Sequence, residues 1–373
     1  MTVINRRTIL QGAVAGAAML PAAALRAAPA PAPVRAGGVA GDEAYWAEIA
    51  AQYDVTDAVI QLENGNWGMM SRPVLAAYQQ MVAKVNRDSS FYARRGMGAD
   101  MAAVQDRLAG FLGVERDEIV LTRNATEALK ALIGGYNRIR PGQAALYADL
   151  DYDSMQASLE SAMTRRGART IRIALPEPAT WQNVIDAYAQ AFEAHPEIKL
   201  VLLTHISHRT GLKIPVREIA ALARVRGIDV IVDAAHSLGQ VDFEIAGLGA
   251  DFVGLNLHKW MGAPLGVGAA YIRKGRVSAI DPDIADENPD SGSIRSRVHT
   301  GTVDYAASLT LPAALDFQAR IGAPAREARL RALRDRWVGQ LRDLPGIQVL
   351  TPDDSRMHGG ITSFRLAGRT SEA

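Results

Sequence analysis

The chain has 373 residues, with 41 Lys and Arg against 40 Asp and Glu, a formal net charge of +1. Its length supports two domains, or one large and one small, and its near-neutral charge argues against a nucleic-acid binder, which normally carries a basic excess. Cysteine is absent, which excludes disulfides, cysteine-ligated metal centres and any cysteine nucleophile within these residues.

The N-terminus reads as a targeting segment. Arg6-Arg7 stand at the head of an Ala/Gly-rich apolar stretch that ends near Leu20, and small residues follow at Ala27 and Ala28. A positive start, a short apolar run and small residues describe an export signal, and paired arginines point to the twin-arginine route. Residues 1–30 are therefore expected to be a signal peptide and the protein to be periplasmic or secreted. The apolar run is too short to span a bilayer comfortably, so no stable membrane partner is expected after signal removal. Residues 31–41, rich in Pro, Ala and Gly, read as a linker, and 42–66 as a lead-in.

Helical periodicity then appears over 73–86, where Val74, Leu75, Tyr78, Met81, Val82 and Val85 share a face. It recurs over 101–112 and 126–135. Short apolar or β-branched runs follow at 119–122, 144–148, 169–173, 199–206, 229–233, 252–255 and 267–272, with helical patterns at 154–166, 183–194 and 215–226 between them. This alternation predicts an α/β fold with a mostly parallel sheet. Continuous apolar runs such as LVLLT and VIVD predict a sheet covered on both faces. The large domain is expected over 42–320. An Arg-rich helical stretch, 322–344, leads into a small C-terminal domain, 321–373. There 359–366 alternates like a strand and 370–372 resembles a helix start, so that domain is expected to be incomplete.

In an open α/β sheet, functional groups gather at the carboxyl ends of strands. Polar groups occur there at Asn124 to Thr126, Asp149 to Tyr152, Thr204 and Ser207, Asp233 to His236, and His258-Lys259. Lys259 sits among apolar, Gly and Pro residues. Burial would lower its pKa and make the amine a nucleophile able to form a Schiff base; a Lys whose head reaches water is the alternative. Asp233 ends a buried strand and calls for a positive partner, which a protonated pyridine nitrogen would provide, although a helix N-cap would also explain it. Thr126 and the amides of a helix starting at Asn124-Ala125 form a natural phosphate site, or simply a capped helix.

Four segments together resemble a known family. Residues 232–275, VDAAHSLGQVDFEIAGLGADFVGLNLHKWMGAPLGVGAAYIRKG, resemble the pyridoxal-phosphate attachment region of the class V aminotransferases, enzymes of fold type I. TRNATEAL (122–129) resembles their phosphate-binding turn, HISHRTGLKIPV (205–216) a central strand-and-loop motif, and HTGTVDYAA (299–307) the segment that reaches a partner subunit's cofactor. The likeness spans roughly residues 60–320. With LENGNWGMM (62–70), it lies nearest the isopenicillin-N-epimerase-like branch.

The resemblance implies a homodimer that binds pyridoxal 5'-phosphate. Lys259 would carry the Schiff base, Asp233 would pair with the pyridine nitrogen, and His236 would bond the phenolic oxygen. His258, Thr126 and the Ala125 amide would bind phosphate, with Thr302 contributed by the second subunit. Tyr152 would stack on the cofactor ring and Ser207 would lie near its oxygen side. Asn256 stands where desulfurases usually carry Ser, which sets its phosphate role apart. His208 replaces a common Asn and receives no role.

The expected substrate is an amino acid or a derivative of one, with Asn64, Asn66, Arg94 and Arg209 as the residues in reach of it. Epimerisation, transamination and elimination all begin from the same carbanion, and the sequence does not separate them. Desulfuration is disfavoured by the lack of cysteine. A non-catalytic binding protein retaining the fold is the non-enzyme alternative. A nucleotide-dependent enzyme is disfavoured, because no glycine-rich phosphate motif follows any strand. No metal is expected: His205 and His208 lack a completing ligand set.

Overall fold

The computed structural model describes residues 40–288 and 292–370. The signal-peptide reading of 1–30, the linker up to residue 39 and most of the helix start expected at 370–372 lie outside the described residues.

After α1 (Glu43–Ala50) and an extended lead-in, α2 (Arg72–Arg95) begins with Pro73 in its first turn. It outruns the expected 73–86. The extension turns at Ser89, whose φ is +39°, so the periodicity is interrupted before the helix ends. Next come α3 (Met97–Leu112), β1 (Ile119–Thr122), α4 (Ala125–Gly135), β2 (Ala144–Ala148), α5 (Asp153–Arg165), β3 (Arg169–Ile173), α6 (Trp181–Ala194), β4 (Ile198–Thr204), α7 (Val216–Arg224), β5 (Asp229–Asp233), β6 (Phe252–Asn256) and β7 (Gly268–Ile272).

These strands form one seven-stranded sheet in the order β1-β7-β6-β5-β4-β2-β3. Only β7 runs against its neighbours; the pairs β2–β3, β2–β4, β4–β5 and β5–β6 are parallel. The apolar strands follow from this cover. Leu200, Leu202 and Ile231 enter a core with Leu129, Leu132, Met155 and Leu159 of α4 and α5. The alternate residues Val201, Leu203, Val230 and Val232 enter the opposite core with Leu108, Val184 and Ile219. Period-two alternation thus feeds two apolar faces, and no polar face is left to interrupt the run.

The chain continues as α8 (Tyr305–Ile321) and α9 (Ala323–Leu341), then a hairpin-like pair, β8 (Ile347–Val349) and β9 (Phe364–Leu366). Helix α8 was not legible as an amphipathic pattern because it buries residues around much of its circumference, including Ala306, Thr310, Leu311, Phe317 and Gln318. The expected strand 359–366 shrinks to Phe364–Leu366. The amides of Gly360 and Ile361 bond the Gln240 side-chain oxygen at 2.7 and 3.3 Å instead of a neighbouring strand.

Candidate active site

Strand β5 ends at Asp233 and β6 at Asn256, and Asp233 is the register partner of Gly254. Adjacent parallel strands therefore deliver Asp233 and the loop His258-Lys259-Trp260 to the same end of the sheet. Asp233 is buried and accepts a 2.9 Å hydrogen bond from the Ala235 amide. Burial raises its pKa; the amide and the Lys259 charge pull the other way. Burial likewise lowers the Lys259 amine, with Asp233 opposing. Each charge acts on the other, so the two groups lie near one another at this end of the sheet. Among the described residues, no cation lies within ion-pair distance of Asp233, and a buried carboxylate without one is costly. A pyridinium nitrogen would fill that role.

The surroundings of His236 determine the state of Lys259. Its Nε2 lies 2.9 Å from Lys259 Nζ, and its Nδ1 accepts from the Trp260 indole at 3.4 Å. Burial, helped by Lys259 and His208, lowers its pKa to about 3, so the ring is neutral. An indole nitrogen can only donate. Nδ1 is therefore the acceptor, the ring proton sits on Nε2, and Nε2–H donates to Lys259. A protonated lysine has no lone pair to receive that bond. This arrangement thus favours the neutral, nucleophilic amine, in agreement with its lowered pKa.

The turn before α4 holds four amides with unequal freedom. Asn124 caps the helix by accepting from Glu127 N at 2.8 Å, and Ala128 N bonds Asn124 O. The Ala125 amide, expected to face phosphate, is committed at 2.8 Å to the Asn256 side-chain oxygen. The amide and hydroxyl of Thr126 have no partner among the described residues, and Asn256 keeps its side-chain NH₂ donors. His258 gives Nδ1–H to the Val267 carbonyl at 3.0 Å. Burial lowers its pKa, against the pull of the Val267 carbonyl.

The remaining expected residues divide. Tyr152 does meet the site, but edge-on to His208, with ring centroids 5.2 Å apart at 88°. His208, given no role from sequence, stacks toward His236 at 6.4 Å and 23°. Its place directly after Ser207 in a strand-end loop was the available signal. Ser207 is buried, and its hydroxyl accepts from Arg209 N and Thr210 N, which shapes that loop. Arg209 is engaged with Asp153. Arg94 lies exposed at the end of α2 with no described contact to Lys259, His236 or Asp233. Asn64 and Asn66 are exposed, but Gly65 between them faces His236 and Trp260. Gly68 N–H bonds the His258 carbonyl at 2.8 Å, and a Cβ there would collide with the Lys259 carbonyl. Thr302 is exposed.

Two buried polar residues received no role from the sequence. Asp151 accepts from Ala148 N at 2.7 Å and Thr204 N at 2.8 Å, tying the ends of β2 and β4 together. Burial raises its pKa to about 7, against those amides and with a smaller push from Asp233. His205 lies under Phe243 with its Nδ1 unpartnered among the described residues, and burial lowers its pKa to about 3. A cavity of about 540 Å³ opens elsewhere, beside the starts of β5 and β6, where Arg273 and Arg276 pair with Asp229 and Asp251. It is remote from Lys259.

The donor set therefore fits pyridoxal phosphate: a half-buried lysine with a lowered pKa, an uncompensated buried acid for the ring nitrogen, and free donors at a helix start. Comparison with known proteins agrees. The chain is 29% identical over 344 residues to isopenicillin N epimerase of Streptomyces clavuligerus, covering 88% of this chain and 86% of that protein. It is 29% identical over 291 residues to a putative L-cysteine desulfhydrase of Oryza sativa, covering 73% and 60%. Its fold matches a cysteine desulfurase of Thermococcus onnurineus with a TM-score of 0.72 at 20% identity, over 87% of this chain and 82% of that one. The family model Aminotransferase class-V matches residues 70–373. The chain belongs to the class V aminotransferase family of pyridoxal-phosphate-dependent, fold-type-I enzymes.

Proposed function

We propose that this enzyme acts on an amino acid or an amino-acid-derived substrate, with Lys259 as the cofactor attachment residue, and that its chemistry is isopenicillin-N-epimerase-like. The observation that carries the reading is the Lys259 amine 2.9 Å from His236 Nε2, its pKa lowered by burial, at the strand ends that also carry buried Asp233. Similarity to isopenicillin N epimerase over most of both chains supports it. Bound pyridoxal phosphate supplies an electron sink that makes the substrate's α-proton acidic. The chain's own residues do the rest. Asp233 holds the pyridine nitrogen, His236 faces the phenolic oxygen, Thr126, His258 and Asn256 receive the phosphate, and Lys259 moves the α-proton.

Carbon–sulfur elimination is the second reading, supported by similarity to cysteine desulfhydrases. It needs no protein thiol, whereas a persulfide route would have no cysteine to use within these residues. Transamination and a non-catalytic binding role are weaker alternatives. We also propose a homodimer in which exposed Thr302 reaches the partner's phosphate. The exposed apolar residues Ile60, Leu62 and Trp67, in the lead-in that carries Gly65 and Gly68, support such an interface. Export by the twin-arginine route completes the reading, and suits a protein that folds around a cofactor before transport.

The test is a panel of L- and D-amino acids with the purified enzyme in heavy water. α-Hydrogen exchange with inversion is the expected result. Release of sulfide from cysteine would favour the second reading. A protein that never develops a borohydride-fixable cofactor on Lys259 would overturn both.

A further inference from the structure

Four histidines gather at the carboxyl end of the sheet: His205, His208, His236 and His258. Three are committed or inaccessible. His205 is buried under Phe243. His236 is held between Lys259 and Trp260. His258 gives Nδ1 to Val267. His208 is half-buried, and neither of its ring nitrogens has a hydrogen-bond partner among the described residues. Tyr152 holds its ring edge-on. An uncommitted imidazole at a pocket wall is the side chain best suited to move a proton near neutral pH.

Its direction of approach matters as much as its freedom. Lys259 meets His236 at Nε2, in the plane of that ring, because a hydrogen bond to an imidazole nitrogen lies in-plane. His208 lies with its ring centroid 6.4 Å from that of His236 and its plane 23° from parallel, so it neighbours the same imidazole without entering its hydrogen bonds. Epimerisation needs two such groups: one must take the α-proton from one side of the carbon and another must return a proton to the opposite side.

We propose that His208 is the second proton-transfer group of this site, serving the side of the substrate's α-carbon that Lys259 does not. The inference rests on the amino-acid reading above and names its reaction as two-sided. In one direction the α C–H bond breaks, neutral His208 takes the proton, and the electron pair stays with the substrate conjugate. Lys259, free of its cofactor bond and protonated, then forms a new C–H bond on the other side. In the reverse direction the roles exchange, and no outside reactant is needed. A lowered His208 pKa, caused first by burial and then by Arg209, agrees with a neutral ring at neutral pH.

Glycine provides the test, since its two α-hydrogens report the two sides separately. The holoenzyme is incubated with glycine in heavy water and the stereochemistry of exchange is read by NMR. Wild type is expected to exchange both hydrogens. H208Q and H208N are expected to slow one hydrogen at least tenfold and leave the other near its wild-type rate. Exchange of a single hydrogen in the wild type, or equal loss of both in each variant, would overturn the proposal. Exchange of neither hydrogen by a wild type that nonetheless holds a borohydride-fixable cofactor would also overturn it, and failure to hold the cofactor at all would mark failure of the underlying reading instead. A second measurement needs no turnover: diethyl pyrocarbonate on the full chain, with mass spectrometry. His208 should be acylated before His205, His236 and His258, and added pyridoxal phosphate should protect it. Slower acylation of His208 than of the other three would overturn the assignment.

Discussion

Lys259 Nζ and His236 Nε2 stand 2.9 Å apart, and the direction of that hydrogen bond is decided by a third residue, Trp260, which donates to the other side of the imidazole. If the indole fixes the tautomer, W260F should let the ring proton move to Nδ1 and let Lys259 stay charged. A neutral hydrogen bond is worth about 1 kcal/mol, equivalent to about 0.7 of a pKa unit. The pH midpoint for capture of pyridoxal phosphate, trapped by borohydride, should therefore move upward by about that amount. An unchanged midpoint would show that Trp260 only packs.

Asp233 makes the cofactor-free protein sensitive to pH. Its pKa is raised on folding, chiefly by burial, so the folded state holds this proton more firmly than the unfolded one. The stability it contributes is full below the ordinary carboxylate range and is lost as pH climbs through the raised value. D233N keeps an oxygen for the Ala235 amide and removes the charge. Its melting temperature, measured without cofactor, should fall less than that of wild type as pH rises above the ordinary carboxylate range. Catalysis should fall by orders of magnitude, since the ring nitrogen loses its partner. Parallel melting curves for the two proteins would contradict this account.

The contact between the lead-in and the lysine loop is testable without reference to function. At position 68 the backbone amide bonds His258 and there is no room for a side chain against the Lys259 carbonyl. G68A must displace one of the two segments. Overpacking of this kind costs about 1–3 kcal/mol, and a lower midpoint in denaturant is expected together with weaker cofactor retention. A variant with wild-type stability and full cofactor content would mean the lead-in is not seated on this loop.

Asn256 satisfies the buried Ala125 amide across 131 residues of sequence. N256A leaves that amide without a partner, at about 1–3 kcal/mol. N256S should recover part of the loss, because a hydroxyl can accept the same bond over a shorter reach. Chemical denaturation of the three proteins orders them. If N256A proves as stable as wild type, water or another group takes over the amide.

Dimer formation makes a further separable claim. T302A should weaken cofactor affinity about tenfold, the worth of one lost contact of about 1.4 kcal/mol, while sedimentation still reads two chains per particle. A monomer in sedimentation, or unchanged affinity in T302A, would remove this residue from the phosphate site.

The sheet was legible because each buried strand is a run of apolar residues and each run is bounded by turn residues. Leu200 to Leu203 belong to a strand on any reading, and the same argument located Asp233 and Lys259, since polar groups that end such runs face one edge of a sheet. Residues whose roles depend on a meeting between loops were hidden. Ala125 looked like a free phosphate donor until Asn256 was found across the site. His208 and Asp151 looked incidental because nothing local says what faces them. Helix α8 escaped for a different reason: burial on many sides erases the polar stripe that reveals a helix.

By itself, the order of side chains determined the alternation of strands and helices, the covered sheet, and which residue types stand at the strand ends. These follow from local periodicity and from the cost of burying polar groups, both properties of short stretches of chain. Tertiary structure alone decided which imidazole nitrogen carries a proton, which amide is already bonded, and that Tyr152 meets His208. Hydrogen-bond direction and ring stacking depend on angles and separations of a few ångströms between residues far apart in the chain, and those are set only when the loops pack together.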